Sequence, residues 1–363
     1  MRVTIVDTGK LKKRFLNFRK SILKSSNFVD NDYFMVKKIL DKNTVFFQSC
    51  EAFGVFVEDD ASNIKCEGII AYSDRLPEYI QLCFFQTLDG ETEAVKCLTD
   101  YVEEYGVKKS CTKLSVGLNG HLNYGLGLLS SDYDSKNSFS SPANLQFTND
   151  CFKELGFDEI LLNSYLIEKF DDRLDKYRKI HDRLMKKYTF RSFNKKNFDN
   201  DSELFTDLNN EIFSDHKFYY KRTYEEDKEM LKELFLFIKE DSVFYIYDKE
   251  KPVGFFMWYP DFNELAKEGD IFGAKHYIKS LFKKKYKTGK FMAFGLLPEY
   301  RNKGLPISIA FYIKDLYEKH GIYRLESSWI LADNSASNNV ADTICDRLYK
   351  KYTVFEKELY GTT

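Results

Sequence analysis

Residues 290–320 read KFMAFGLLPEYRNKGLPISIAFYIKDLYEKH. The apolar run Phe291 to Leu297 predicts a short buried strand. Pro298 stops it, Arg301 to Leu305 make a charged loop around Gly304, and an apolar helical pattern follows. Strand, tight loop and helix together form an anion site, because the first helical turn leaves N–H groups unpaired and the helix dipole is positive there. Gly304 lets the backbone come close to a ligand, and Arg301 and Lys303 can add charge-assisted bonds. Pro306 contributes no N–H but is well tolerated in a first helical turn, where that donor has no intrahelical partner.

Outward from this stretch, Tyr188 to Phe193, Val243 to Tyr247 and Val253 to Trp258 read as strands, with helices over Asp201 to Phe213 and Glu225 to Lys239. Downstream come a strand over Tyr323 to Leu331, a helix over Asn334 to Leu348 and a strand over Tyr352 to Glu358. The first half repeats the order. Strands are expected at Val3 to Val6, Phe53 to Val57, Gly68 to Tyr72, Ile80 to Phe85, Lys113 to Leu118 and Ile160 to Ile167. A helix over Leu11 to Leu23, one over Glu91 to Tyr105 closed by Gly106, and one opened by Pro142 complete that half. Between the halves Leu174, Tyr177, Ile180, His181 and Leu184 share one side of a charged helix. The pattern predicts an α/β fold with a mixed sheet built twice: residues 1–168, a linker helix at 169–187, and 188–363.

Composition bounds the function. The 363 residues are 43% hydrophobic and 17% aromatic, enough for two packed cores. Lysine and arginine (55) nearly balance aspartate and glutamate (56), so no overall field points to nucleic acid. Seven scattered cysteines without a C-x-x-C pair suit a reducing compartment and argue against a zinc site, so no metal is expected. The start MRVTIVDTGK has no basic-then-apolar leader and no apolar run reaches spanning length, so a cytoplasmic protein is expected.

Leu297-Pro-Glu-Tyr-Arg301-Asn-Lys-Gly304-Leu-Pro306 resembles the acyl-CoA signature of the GCN5-related N-acetyltransferase superfamily, in which Arg or Gln is followed three residues later by Gly and two later by Gly or Ala. Arg301 and Gly304 match; Pro306 stands where Gly or Ala is usual. Glu326 to Asn334 and Tyr349 to Lys357, with Phe46-Phe-Gln and Cys151 to Phe157 earlier, are similar to bacterial tandem acetyltransferase-like proteins of poorly defined function. The resemblance implies two tandem acetyltransferase-like domains joined by a helix. It implies acetyl-CoA or another acyl-CoA as co-substrate, with its diphosphate at Arg301, Asn302, Lys303, Gly304 and Leu305. The pantetheine arm would pair with main chain near Leu296 and Leu297, in a gap between that strand and the next, and Asn334 joins the cofactor-binding set.

Aminolysis of a thioester needs a deprotonated amine, a donor for the carbonyl oxygen and a proton for the leaving thiolate. The superfamily's usual tyrosine acid is absent, since Ala341 stands seven residues after Asn334. Glu326 is the candidate catalytic base, with a strand-end ion pair as its other reading; Ser328 is a weaker hydroxyl, and Asn334 also suits a helix N-cap. The first half has no such signature. Its loop Gly117 to Gly127 carries glycines and His121 but no cation, which suggests a degenerate copy whose loop lines the cleft between halves.

Lys275 to Lys290 holds seven lysines and no acid. A solvated helix covering the sheet is one reading, and a dock for an acidic acyl carrier protein, RNA or an anionic membrane surface is another; of these, nucleic acid is not favoured. The sequence therefore points to an acyl-CoA-dependent N-acyltransferase, acetyl by preference, acting on a primary amine of a small molecule or peptide. A catalytically silent binder of acyl-CoA or an acyl carrier protein, and an aminoacyl-tRNA-dependent transferase of similar doubled fold, are the alternatives.

Overall fold

The computed structural model describes residues 1–24, 26–168, 172–283 and 285–359. In chain order the elements are β1 (Arg2–Ile5), α1 (Gly9–Leu23), α2 (Tyr33–Leu40), α3 (Val45–Gln48), β2 (Glu51–Glu58), β3 (Ile64–Tyr72), β4 (Tyr79–Thr87), α4 (Thr92–Lys108), β5 (Lys113–Val116), β6 (Leu128–Leu129), α5 (Gln146–Glu154) and β7 (Asp158–Ile167). There follow α6 (Arg178–Leu184), β8 (Tyr188–Ser192), α7 (Phe198–Ile212), α8 (Tyr224–Leu234), β9 (Val243–Asp248), β10 (Lys251–Pro260), α9 (Ala274–Phe282), β11 (Thr288–Leu296), α10 (Leu305–His320), β12 (Arg324–Ser327), β13 (Ile330–Leu331), α11 (Ser335–Ile344) and β14 (Arg347–Glu358).

The chain forms two compact units, neither contiguous in sequence. The first contains Met1–Leu162, Leu265–His276 and Lys350–Thr363; the second contains Asn163–Glu264 and Tyr277–Tyr349. Within the linker expected at 169–187, residues 169–171 lie outside the described residues; Asp172–Tyr177 is a 3₁₀ turn that runs into α6.

In the first unit β1, β2, β3, β4 and β5 pair in that order, antiparallel except for the parallel β4 and β5. The last strand of the chain completes this sheet. Phe355 of β14 lies opposite Val116 and Glu358 opposite Lys113, antiparallel to β5. On one face Ala94, Val95, Leu98 and Val102 of α4 pack with Ile80, Leu82, Leu114, Val116 and Phe355, all buried. Gly106 does not end α4 as expected; the helix runs two residues further. A Cβ there would lie 2.5 Å from Ile80 Cγ2, so the glycine serves close helix–sheet approach instead of a cap.

In the second unit the order is β8, β9, β10, β11, β12 and then the Asn163–Ile167 part of β7, with β11 and β12 parallel and the rest antiparallel. Helix α10 covers this sheet through aromatic contacts. Tyr312 meets the Phe244 ring edge-on at 4.9 Å, Phe244 stacks on Phe256, and Trp258 packs on Tyr317. The 3₁₀ turn and α6 cover another side of α10: Leu174 of the turn is buried with Ala310 and Phe311, and the His181 ring of α6 lies 4.7 Å from that of Phe311. These are residues of the face expected from their spacing.

Each unit thus runs strand, helices, three antiparallel strands, helix, parallel strand. In each, the closing antiparallel neighbour of the parallel strand comes from a distant part of the chain: β14 beside β5, and β7 beside β12. No described helix is long and apolar enough to cross a membrane.

Candidate functional site

In the second unit β11 and β12 run parallel from Thr288 opposite Arg324 to Phe291 opposite Ser327, and there the ladder stops. Its last link is the Ser328 N–H donating to Phe291 O at 2.7 Å. β11 continues to Leu296 paired with β10 alone, Ala293 opposite Met257 and Leu296 opposite Gly254. Among the described residues no strand pairs with its other edge over 292–296. An open strand edge offers N–H and C=O groups to an extended ligand.

The loop after β11 turns through Pro298 to Tyr300, where Arg301 N–H closes on Pro298 O. Asn302 (φ 58°) and Gly304 (φ 79°) both take left-handed conformations, and Gly304 caps α10. Among the described residues, the N–H groups of Asn302, Lys303, Gly304 and Leu305 have no protein acceptor. Pro306 is in the first turn and offers none, and Ile307 N–H is taken by Gly304 O. Four donors and a helix N-terminus suit a diphosphate.

The connection between α7 and α8 brings in a residue that the sequence reading passed over. His216 Nδ1 accepts the Phe218 N–H at 3.3 Å, which puts the ring proton on Nε2. Its ring lies 6.0 Å from that of Trp329, just beyond the point where β11 and β12 part. Burial pushes the imidazole down to about 4, against a smaller upward pull from Asp333, so it is neutral near pH 7. Its signal in the sequence was an aromatic-rich connection, Asp215-His-Lys-Phe-Tyr-Tyr220, between two helices.

Solved structures share this architecture. A tandem GNAT protein from the clavulanic acid biosynthesis pathway aligns over 100% of this chain and 99% of its own at 9% identity, with a TM-score of 0.57. A GCN5-related glucosamine N-acetyltransferase region of a fungal multi-domain GH3 β-N-acetylglucosaminidase aligns over 98% of this chain and 38% of its own at 10% identity, with a TM-score of 0.59. A conserved protein of Enterococcus faecalis V583, described as a probable N-acyltransferase, aligns over 99% and 73% at 8% identity, with a TM-score of 0.54. No family model and no curated protein matches the sequence. The chain has the tandem GCN5-related N-acetyltransferase fold.

On this acetyltransferase fold the sequence candidates fall as follows. Leu296, Leu297 and Leu305 are buried. Arg301 is turned back onto the protein: its Nε donates to Leu296 O at 3.2 Å and its Nη2 to Ile212 O at 2.9 Å, tying the loop to the end of α7. Lys303 lies over the Tyr300 ring with Nζ 4.6 Å from the centroid. A Cβ on Gly304 would meet Leu184 and Ile180 at ordinary separations of 3.5 and 3.6 Å, so its left-handed φ is what calls for glycine.

Glu326 is buried on β12 opposite Lys290, whose Nζ is 2.8 Å from Glu326 Oε1. Asn334 caps α11, its Oδ1 accepting the Ser337 N–H at 3.1 Å. Ser327, adjacent to Ser328, accepts the Tyr165 N–H on Oγ, while the Ser164 hydroxyl donates to Ser327 O.

The first acetyltransferase-like unit has the same parting of parallel strands and fills it from within. β4 and β5 pair from Tyr79 opposite Lys113 to Leu82 opposite Val116. Beyond that, the Phe84 N–H donates to Asn119 Oδ1 at 2.8 Å, and Gln81 Oε1 accepts the Gly120 N–H at 2.9 Å. His121 is buried, and a Cβ on Gly120 would strike the rings of Phe47 and Phe46. The glycine-rich loop is therefore folded into its own unit. Between β4 and α4 stand only Leu88 to Glu91, with Asp89, Glu91 and Glu93 where a phosphate would meet like charge.

Proposed function

We propose that the second unit is an acyl-CoA-dependent N-acyltransferase domain, transferring an acyl group, acetyl by preference, to a primary amine. One observation carries this reading: the edge of β11 that has no strand partner over 292–296, with Leu296 O held by Arg301 Nε, leads directly to a loop whose Asn302, Lys303, Gly304 and Leu305 N–H groups have no protein acceptor among the described residues. The open edge suits a pantetheine arm and the four donors suit its diphosphate. In the first unit the corresponding gap is occupied by Asn119 and the corresponding turn is acidic. One acyl-CoA per chain follows from this difference.

In the transfer the amine nitrogen attacks the thioester carbonyl, the C–S bond breaks, the amine loses a proton and the thiolate gains one. Neutral His216 carries its proton on Nε2 and would donate a hydrogen bond to the developing oxyanion, while the proton that the amine loses is the one the thiolate gains. Glu326 reaches the amine only by leaving Lys290. That pairing, with Ala341 at the position of the usual acid, supports a second reading in which the unit binds acyl-CoA without turning it over.

Thermal shift with acetyl-CoA, longer acyl-CoAs and free CoA tests the binding claim. Ligand at a hundredfold excess over its dissociation constant stabilises by roughly 2.7 kcal/mol. Gly304→Glu, which places a carboxylate among the donors, is expected to abolish that gain. No response to any CoA species sinks the proposal. Release of CoA thiol across a set of amines then separates transferase from silent binder.

A further inference from the structure

Helix α9 carries its apolar side chains outward. Ile278, Leu281 and Phe282 are 56%, 63% and 78% exposed, and their i, i+3, i+4 spacing sets them in one stripe. The inward side of the second-unit part of the helix is anchored. The Tyr277 ring packs against Phe237 at 5.4 Å, and just past the helix Lys283 Nζ pairs with Glu264 at 2.8 Å. Leu236, next to Phe237, is 60% exposed as well. The sequence allowed a solvated helix with these residues turned onto the sheet; the structure turns them away from it. A bulky apolar stripe held out from a fixed helix marks a surface that is covered in use.

Charge says by what. From Lys275 to Lys290 the sequence has seven lysines and no acid, and Lys284 among them lies outside the described residues. Lys275 pairs with Asp270, Lys283 with Glu264 and Lys290 with Glu326, while Lys285 and Lys287 are exposed just past the stripe. Lysines beside outward Phe, Leu and Ile on a short amphipathic helix are what binds the interface of an anionic bilayer, with the apolar stripe in the acyl boundary and the ammonium groups among the headgroups. A carrier protein delivering an acyl group fits less well. α9 precedes the start of β11, whereas the phosphate loop follows its end, a nine-residue strand away, or about 30 Å.

We propose that the outward face of α9 seats this protein on anionic membrane surfaces. The test is flotation of the full chain with vesicles of phosphatidylcholine alone and of phosphatidylcholine with phosphatidylglycerol. Binding is expected to the anionic vesicles, weakening about tenfold or more without phosphatidylglycerol, in high salt, or in Lys285→Glu/Lys287→Glu. Leu281→Ser/Phe282→Ser, both at exposed positions, is expected to lower binding by a similar factor with its circular dichroism and melting unchanged. No binding to anionic vesicles, or binding that the Leu281/Phe282 variant retains, overturns the proposal. So does light scattering showing that these residues hold two copies together, or binding to an acidic carrier protein in place of vesicles. Acyl-CoA binding in the thermal-shift experiment is independent of all these outcomes.

Discussion

Lys290 Nζ lies 2.8 Å from Glu326 Oε1, with both side chains buried on neighbouring parallel strands. Removing one partner leaves a buried charge without compensation, whereas replacing both by apolar residues of similar volume removes the need for it. Glu326→Gln is therefore expected to lose about 3–5 kcal/mol in urea unfolding, and Lys290→Met/Glu326→Leu far less. If the double variant also keeps CoA release, Glu326 is a structural residue and the base lies elsewhere.

Arg301 is expected to matter for the shape of the loop more than for its charge. Its guanidinium ties Leu296 O to Ile212 O, and charge-assisted bonds of this kind contribute about 1.5–3 kcal/mol each. Arg301→Lys keeps the positive charge but cannot reproduce the fork. Lower melting temperature and weaker acetyl-CoA binding are expected together in that variant. Unchanged binding would mean that the loop holds its form without the clamp.

His216 gives stability a dependence on acid. Burial holds its folded-state pKa at about 4, below its ordinary value of 6.5. The unfolded chain therefore binds the extra proton first as pH falls. This residue's contribution is full above about pH 6.5 and is lost progressively as pH drops toward 4, by roughly 2–3 kcal/mol in all. Denaturant unfolding of wild type and His216→Asn at pH 7, 6 and 5 checks it; the asparagine variant should show a shallower acid loss over that window.

Residues 1–187 expressed alone are expected to aggregate. Their β5 would lack the β14 partner that pairs Val116 with Phe355 and Lys113 with Glu358, and an unpaired buried strand edge seeks other chains. Co-expression with 188–363 should restore soluble material that copurifies as two pieces. A soluble, cooperatively melting 1–187 fragment would contradict this account.

Local features were legible. The run from Phe291 to Leu297 and the helix after Gly304 follow from periodicity and turn chemistry, and the apolar side of 174–184 from helical spacing. What depends on contacts distant in sequence was not. Gly106 looked like a helix terminus because its neighbour Ile80 is invisible in the local pattern. Lys290 and Glu326 gain their shared burial only from parallel pairing, and Arg301 its role from Ile212, far upstream. α9 misled for the opposite reason: apolar spacing shows that a helix has a stripe, not which way the stripe faces.

The placement of β14 also sets a timetable. Residues up to Leu162 leave the ribosome about two hundred residues before Glu358 does, roughly 10–40 s at ~5–20 residues per second. During that interval the first unit lacks the strand that completes its sheet. The first unit's sheet is therefore completed only when translation is nearly finished, after almost all of the second unit has already been made.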